Sequence, residues 1–279
     1  MTWPVVVAGT LSAGALLAAG AARRGFHRRI EGLERSLGKA SAAAARKLPP
    51  EVLALGQRCG VPASGPGRLV RLTQRGAMWR TPNAKALAFT ARQTIAVAEV
   101  GFVWRALFPL GAGTSLEVID YAANGEAGLE GRLGGTLRVL RVSDSDAAYR
   151  GEAMRYLAEL MWNPDALLFN SRLDWRVLGA RTLGVATGAG GRRSEVRLLL
   201  DEAGDVARVE ADDRPRLVGD ASIPTPWFGR GTDYQRLGGR RLPMKGEVGW
   251  VLDGAEFVYW RGQIESWSLE PSGREVEAS

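Results

Sequence analysis

From Arg68 to about residue 270 the chain is a succession of short segments in which apolar and polar residues alternate. A period of two is typical of β-strands, because neighbouring side chains on a strand point to opposite faces. Turn signals separate the segments, and Asn124-Gly125, Gly238-Gly239 and Asp253-Gly254 suit tight hairpins. Helices do not alternate with these strands, which disfavours a parallel α/β fold. The pattern predicts about ten strands in one extended antiparallel sheet, a sandwich or a barrel.

One segment, SDSDAAYRGEAMRYLAELMWNP at residues 143–164, departs from this alternation. Met154, Leu157 and Met161 recur with the spacing of one helix face, and a serine at 143 or 145 can cap the helix start. Asn163-Pro164 ends the helical pattern. We therefore expect an amphipathic helix inserted between strands and lying against one face of the sheet.

The N-terminus carries an uncharged segment of twenty residues, 3–22, which is long enough to cross a bilayer as a helix. Four arginines follow it directly, so the positive-inside rule places the rest of the chain in the cytoplasm. A cleaved or an interfacial segment is the alternative. The expected order is a transmembrane helix over 3–22, a basic juxtamembrane helix or linker over 23–48, a β-rich domain over 49–270 and a flexible tail over 271–279.

The juxtamembrane segment has a narrow apolar seam formed by Ile30, Leu33 and Leu37. Two interpretations stay open for it: a basic helix lying along anionic lipid, or a solvated spacer helix. Its charge matters for function, because the first 48 residues hold eight Arg or Lys and two Glu, which is most of the net charge of +7. The domain itself is nearly neutral, and nucleic-acid binding is therefore excluded as the expected function.

The chain has one histidine, His27, and one cysteine, Cys59. Because His27 lies outside the domain, imidazole-based catalysis and His-ligated metal sites are not expected there. A single cysteine also forms no intramolecular disulfide. We expect no metal and no cofactor, so any catalysis in the domain would depend on carboxylates, tyrosine, lysine or arginine.

Carboxylates supply the weak candidates for catalysis. Glu152 and Glu159 share a side of the predicted helix with Arg155 between them, an arrangement that suits either acid-base chemistry or ordinary surface ion pairing. Glu247 is expected to form a cross-strand ion pair, and Asp233 either orients the adjacent tyrosine or pairs across the sheet. The candidate catalytic residues are Glu152, Glu159, Asp233, Tyr234 and Glu247.

Tryptophan followed by arginine occurs in four strand-like segments, at 79–80, 104–105, 175–176 and 260–261. On a strand this dipeptide puts an aromatic ring on one face and a cation on the other. The aromatic face is either a core packed under the helix or the lining of a cavity for a hydrophobic ligand. The candidate ligand-binding residues are Trp104, Trp162, Trp227, Trp250 and Trp260.

Several motifs occur together in a distinctive order. They are FTARQ and GFVW, then GEAMRYLAELMWNPDALL from Gly151 to Leu167, then Thr225-Pro226-Trp227, Gly229, Asp233-Tyr234, Pro243, Gly246-Glu247, Trp250 and Tyr259-Trp260-Arg261. Over roughly residues 48 to 268 the sequence resembles a family of bacterial and archaeal membrane-associated proteins known only as a domain of unknown function. Phe228 and Gly231-Thr232 depart from that family's pattern.

The resemblance implies an N-terminal anchor and the same β-rich domain, with no known activity. The arrangement is similar to the lipoprotein-carrier type, a mainly β half-barrel in which one large curved antiparallel sheet holds helices against its concave face. Such carriers work outside the cytoplasm, which conflicts with the charge-based topology. We expect a single-pass cell-membrane protein, not an enzyme, that meets membrane lipids and binds a lipid or other hydrophobic small molecule. The alternatives are a membrane-tethered enzyme and a ligand-free scaffold.

Overall fold

The computed structural model describes the backbone of residues 3–40 and 47–271, and the side chains of these residues from residue 17 onward. The helices are α1 (Trp3–Ser36), α2 (Pro50–Arg58), α3 (Asp146–Ala158) and α4 (Asp165–Phe169), with 3-10 turns at Glu159–Met161 and Gly190–Arg192. The strands are β1 (Gly67–Met78), β2 (Leu87–Ala96), β3 (Phe102–Gly111), β4 (Thr114–Ala123), β5 (Glu126–Leu133), β6 (Leu137–Val142), β7 (Asp174–Gly179), β8 (Thr182–Thr187), β9 (Ser194–Leu200), β10 (Val206–Val218), β11 (Ala221–Leu237), β12 (Arg240–Leu252) and β13 (Ala255–Pro271).

These thirteen strands form one curled antiparallel sheet, a half-barrel, in the order β6-β5-β4-β3-β2-β1-β13-β12-β11-β10-β9-β8-β7. The first and last strands pair at its centre, and each half is a simple meander that ends at an edge strand, β6 or β7. The mainly β, antiparallel fold is thus confirmed. About ten strands were expected and thirteen are present, of which β6, β7 and β8 are the shortest at six residues each.

The expected tight turns are present in three hairpins. Asn124-Gly125, Gly238-Gly239 and Asp253-Gly254 all have positive φ at both positions, between 52° and 79°. Each dipeptide separates two directly paired strand residues, as in Ala123 opposite Glu126. Such two-residue loops with positive φ match the right-handed twist of the strands they join. The turn chemistry read from the sequence therefore fixes these hairpin registers.

A row of four glycines crosses the middle of the sheet. Gly76, Gly262, Gly246 and Gly231 lie directly opposite one another on β1, β13, β12 and β11. A Cβ atom at Gly76 would lie 2.0 Å from the carbonyl oxygen of Arg261. A Cβ atom at Gly246, Gly231 or Gly262 would meet side chains of the core within 2.9 Å. The missing side chains let the core rings lie directly on the backbone where the sheet curls.

The residues between the edge strands, 143–173, contain α3 and α4, and we call them the plug. Helix α3 contacts β4 and β5 of one half and β8, β9 and β10 of the other. A helix can reach both halves only from inside the curl, so the plug lies on the concave face. Its expected features are present: Ser145 caps α3 by accepting a hydrogen bond from the Ala148 amide at 3.1 Å, and Met154 and Leu157 are buried.

Two buried carboxylates fasten helices to the sheet. Asp165, at the start of α4, accepts hydrogen bonds from Arg240 at 2.6 Å and from the Gly67 amide at 3.0 Å. Asp205, beside β10, pairs with Arg58 and Arg241, each at 2.7 Å. Burial raises the pKa of the Asp205 carboxyl, but the hydrogen bonds from Arg241 and Arg58 outweigh it and lower the pKa overall.

Helix α1 packs on the outer, convex face with its C-terminal half. Phe26, Ile30 and Leu37 are each at most 2% exposed and contact a second apolar cluster that includes Val103 and Ile119 of the outer face. The seam at Ile30, Leu33 and Leu37 is therefore covered by protein, which differs from both interpretations given to it. The sequence pattern could show that an apolar seam exists but not which surface covers it.

The expected membrane span, 3–22, falls mostly on residues 3–16, whose side chains lie outside the described part. Where side chains are described, no helix is both long enough and apolar enough to cross a membrane. Alanine and glycine make up much of this segment, so its hydropathy is modest. The expected tail over 271–279 also lies outside the described residues, apart from Pro271.

Candidate functional site: the interface between plug and sheet

The five candidate tryptophans gather at the interface between the plug and the concave face. Trp104, Trp162, Trp227 and Trp260 are buried, and Trp250 is partly buried. Phe89 connects two of them, with its ring centroid 5.6 Å from that of Trp104 and 6.0 Å from that of Trp260. These side chains form the core between plug and sheet, and their role as ligand contacts stays a prediction.

The indole nitrogens show how firmly the rings are held. Trp104 donates to the Gln74 amide oxygen at 3.0 Å and Trp162 to the Pro243 carbonyl at 2.8 Å. Trp267, which the sequence analysis did not select, donates to the Trp162 carbonyl at 2.8 Å and so ties the plug to β13. Buried indoles with satisfied N–H groups are oriented rather than free to turn.

Arg214 lies among the remaining tryptophans. Its guanidinium carbon is 4.5 Å from the ring centroid of Trp227 and 5.7 Å from that of Trp250. Its Nε donates to the Gly151 carbonyl of α3 at 3.2 Å, and Nη1 donates to the Tyr259 hydroxyl at 3.2 Å. Arg214 thus joins α3 of the plug to aromatic residues on β11, β12 and β13. The alternation did not reveal it, because a register shift between Ala211 and Arg214 turns this arginine inward.

A row of charged groups lies at the same interface. Arg155 donates to Asp120 of β4 at 2.5 Å and to Glu159 at 2.8 Å, and Gln93 of β2 donates to the other Glu159 oxygen. Asp120 and Glu159 are 8% and 7% exposed. The Glu152–Arg155–Glu159 row, which could have been a solvated helix surface, is therefore enclosed, because the sheet curls around α3. Asp120 was not recognisable as its partner from the sequence.

Glu152 is the least satisfied member of this row. Its salt-bridge partner is Arg214, with nitrogen and oxygen 3.9 Å apart, and its carboxyl group lies beside that of Asp120, to which it donates a hydrogen bond when protonated. Burial, followed by the charge of Asp120, raises the pKa of Glu152 to about 8. Glu152 therefore keeps its proton near neutral pH. The row therefore holds one proton on Glu152, next to the ion pairs that Arg155 forms with Asp120 and Glu159.

The other three candidates for catalysis lie elsewhere. Asp233 adopts φ of 59° and pairs with Lys245 at 3.3 Å, with its pKa lowered by hydrogen bonds from Gln235 and Lys245. The hydroxyl of Tyr234 donates to the Val206 carbonyl at 2.8 Å, and burial raises its pKa. Neither residue contacts Glu152 or Glu159.

Glu247 lies on the outer face between Arg230 at 2.6 Å and Arg261 at 3.3 Å, the cross-strand ion pairing expected of it. The dipeptide at 260–261 shows the same division of faces: Trp260 is buried in the core, whereas Arg261 pairs on the outer face. The dipeptide at 79–80 was expected on a strand but follows the end of β1 at Met78. In the part of the chain that the structure describes, no group of three or more His, Cys, Asp or Glu side chains could hold a metal ion.

Comparisons with known proteins bear on the domain. A family model described as "Family of unknown function (DUF6920)" matches residues 46–268. A search of curated proteins found no match. The TPW-x-G, Asp-Tyr, Gly-Glu-Val and Tyr-Trp-Arg-Gly motifs lie within the matched residues.

Three solved structures align with most of this chain and share little sequence with it. A DUF1329 family protein from Desulfovibrio piger is 11% identical, with 82% of this chain and 92% of that chain covered and a TM-score of 0.44. A LolA superfamily protein from Nitrosomonas europaea is 12% identical, with 82% and 96% covered and a TM-score of 0.41. A domain described as an outer membrane lipoprotein-sorting protein, from Vibrio parahaemolyticus, is 11% identical, with 81% and 93% covered and a TM-score of 0.45.

Proposed function

The chain belongs to the family of unknown function DUF6920, and we propose that its β-rich domain binds a lipid or other hydrophobic molecule between the plug and the concave face, without catalysis. One observation carries this proposal: the plug covers an aromatic sheet surface but shares with it a buried row of charged groups in which Glu152 is kept neutral. The following features of the plug and the sheet support it.

The surface beneath the plug suits an apolar ligand. Trp104, Trp227 and Trp260 stand on the sheet, and two plug residues lie over two of them. The guanidinium carbon of Arg155 is 5.2 Å from the ring centroid of Trp104, and the ring centroid of Trp162 is 6.2 Å from that of Trp260. Large aromatic rings contribute much apolar contact area, and polar groups at a few fixed positions orient a ligand. A hydrophobic molecule that took the place of plug side chains would therefore meet a preformed aromatic surface.

The plug is attached in a way that permits movement. It is continuous with β6 and β7, the edge strands, each of which pairs with one neighbour. Displacing it leaves the central pairing of β1 with β13 intact. Apolar side chains are exposed along both edges: Leu137, Val139 and Leu140 on β6, and Val177 and Leu178 on β7. They make both edges beside the opening apolar, where a ligand would arrive.

The charged row lowers the net stability of the closed plug. Removing charges from water costs free energy, and the cost is recovered only where geometry and hydrogen bonding are complete. Here the carboxyl groups of Glu152 and Asp120 lie side by side, and burial keeps Glu152 protonated instead of charged. A plug packed only with apolar residues would have no such cost, so displacement by a ligand is easier with this row than without it.

Arg192 is a latch that holds the start of the plug. It donates to Asp146 of α3 at 2.7 Å and to the Gly125 carbonyl in the β4–β5 turn at 2.6 Å, and it lies 3.3 Å from Asp144. Arg192 belongs to the β8–β9 connection, so these contacts join the two halves of the sheet through the plug. Removing this side chain should ease plug displacement without touching the aromatic surface.

The test uses the purified full chain and phospholipid with brominated acyl chains. We expect native mass spectrometry to detect bound lipid, and bromine to quench the fluorescence of the interface tryptophans. Arg192→Ala should increase the rate of uptake. Arg176→Ala is the matched control, because Arg176 pairs with Glu195 on an exposed surface and should leave uptake unchanged. Absence of bound lipid and of quenching in both the native chain and Arg192→Ala would refute the proposal.

We propose further that residues 3–22 tether the domain to the membrane, with the domain on the cytoplasmic side. The uncharged length of the segment and the four arginines that follow it support this. A chain lacking residues 2–22 should leave the membrane fraction, where the full chain remains. A reporter fused to the C-terminus should be active only in the cytoplasm, and activity only outside would contradict the proposed side.

A further inference from the structure

A cleft of about 540 Å³ opens on the outer face beside α1, on the opposite side of the sheet from the plug. It extends over β1, β2, β3 and β4, whose outer-face side chains form its floor. The polar residues that line the cleft include Arg23, Thr73, Thr90, Arg92, Arg105 and Glu117.

Two of the arginines lie in an unfavourable arrangement. Arg92 on β2 is directly opposite Arg105 on β3. Like charges in directly opposed positions destabilise a sheet. Among the described residues Arg92 makes no ion pair, so its charge faces the cleft unneutralised. The two guanidinium groups therefore give the cleft a positive electrostatic potential.

The available carboxylates do not cancel this potential. Glu117 is 3% exposed and serves three partners: Arg105 at 3.2 Å, Arg23 at 3.6 Å and His27 at 3.0 Å. Glu265, the other acidic residue at the cleft, pairs with Arg75 at 3.5 Å. Arg23 and Arg105 share one carboxylate, and Arg92 has none, which leaves guanidinium groups free to bind an anion.

The position of the cleft indicates the source of the anion. Arg23 follows directly after the uncharged segment 3–22, and α1 continues without a break from Trp3 to Ser36. Burial of Phe26 and Ile30 fixes the later part of α1 on the sheet. A bilayer that holds residues 3–22 therefore has its headgroups at the level of Arg23. This step rests on the proposed tether and not on the proposed ligand beneath the plug.

We propose that this cleft binds the phosphate group of an anionic phospholipid headgroup. Guanidinium groups suit phosphate because two parallel N–H donors match two phosphate oxygens. Arg92 is the central ligand, with Arg105 and Arg23 on one side, and the hydroxyl of Thr90 can donate from the same strand. Binding would turn the repulsion between Arg92 and Arg105 into a stabilising contact and set the orientation of the domain on the membrane.

The experiment places a reporter in the cleft of the full chain. Leu107 lines the cleft and is 42% exposed, so Leu107→Cys accepts a thiol-reactive dye. The native Cys59 is 6% exposed, and burial raises its thiol pKa to about 12, which keeps it unlabelled. The labelled chain is reconstituted into phosphatidylcholine vesicles with or without phosphatidylglycerol. Both vesicle types contain a lipid with a nitroxide quencher on its headgroup.

We expect quenching in the phosphatidylglycerol vesicles to exceed that in pure phosphatidylcholine severalfold. Arg92→Ala should abolish this excess, as loss of a charge-assisted contact weakens binding about tenfold or more. Arg80→Ala removes the same charge from an exposed position outside the cleft and should keep the excess.

Equal quenching in both vesicle types, or equal loss in Arg92→Ala and Arg80→Ala, would overturn the proposal. If inorganic phosphate abolished the excess, free phosphate rather than a headgroup would be the occupant, and the proposed source would be wrong. Failure of the tether gives a different result, because the labelled chain would then not float with phosphatidylcholine vesicles. Failure of the ligand proposal beneath the plug leaves the dye signal unchanged.

Discussion

The two faces of the sheet use the same ion-pair chemistry in opposite settings. On the concave face, Arg155 lies between Asp120 and Glu159, whose side chains are 11% and 9% exposed. On the outer face, Arg230 lies between Glu247 and Glu256, whose side chains are 27% and 39% exposed. Each arginine has two carboxylates, but those on the outer face are more exposed and each pairs with a second arginine, Glu247 with Arg261 and Glu256 with Arg208. The effect of removing an arginine therefore depends on how buried its carboxylates are and on whether another cation remains beside them.

Removal of the central arginine is expected to have the largest effect. Arg155→Met leaves Asp120 and Glu159 buried without a cation and should lower the free energy of unfolding by about 3–5 kcal/mol. Arg230→Met on the outer face should cost about 0–1 kcal/mol, because its partners keep Arg261 and Arg208 beside them and are partly solvated. Urea denaturation of the two variants measures both values. Equal losses would contradict the contrast between the faces.

The next effect depends on pH. Glu152 has its pKa raised to about 8 in the folded protein, so the folded state keeps a proton that the unfolded chain releases above about pH 4.5. Its stabilising contribution is complete below that pH and is lost as pH rises towards 8. The slope is at most about 1.4 kcal/mol per pH unit for one proton.

Glu152→Gln should flatten this part of the pH profile, because a glutamine has no proton to lose. The exposed Glu202, with 96% of its side chain in solvent, gives the control Glu202→Gln, which should keep the native slope. Denaturation of the three proteins across about pH 5 to 8 checks the prediction. A native profile without this slope would show that Glu152 is ionised in the folded state.

The smallest expected effect concerns the glycine row. Gly76→Ala places a Cβ atom 2.0 Å from the Arg261 carbonyl oxygen, so the backbone must shift, and we expect a loss of about 1–3 kcal/mol. Gly229→Ala is the matched control, since its nearest new neighbour is 3.8 Å away. Thermal unfolding should separate the two variants, and indistinguishable midpoints would mean that the curl tolerates a side chain in the row.

Local signals in the sequence were sufficient for part of this fold. Asn124-Gly125 specifies its hairpin through positive φ at both residues, and Ser145 specifies the start of α3 through its cap. These features depend on residues within a few positions of one another. The apolar seam at Ile30 and Leu37 was also visible as a pattern.

Features that join distant parts of the chain could not be predicted in the same way. Arg214 faces inward because of a register shift, which reverses the alternation that a sequence pattern assumes. Asp120 meets Arg155 only because the sheet curls around α3. The surface beneath Ile30 is formed by β3 and β4, more than seventy residues further along. The last two contacts depend on how the sheet curls. The glycine row at the curl can be recognised only once the strands are placed in register.

The pairing of β1 with β13 has a consequence for synthesis. Gly67 lies opposite Pro271, so the first strand must wait for the last before its second edge is covered. Strands β1 to β6 can form as a meander while the remaining chain is still being made, but an unpaired β1 exposes backbone donors and acceptors to other chains. Pairing across such a long separation is slow. This edge of the first half of the sheet therefore stays open until translation has reached the final strand.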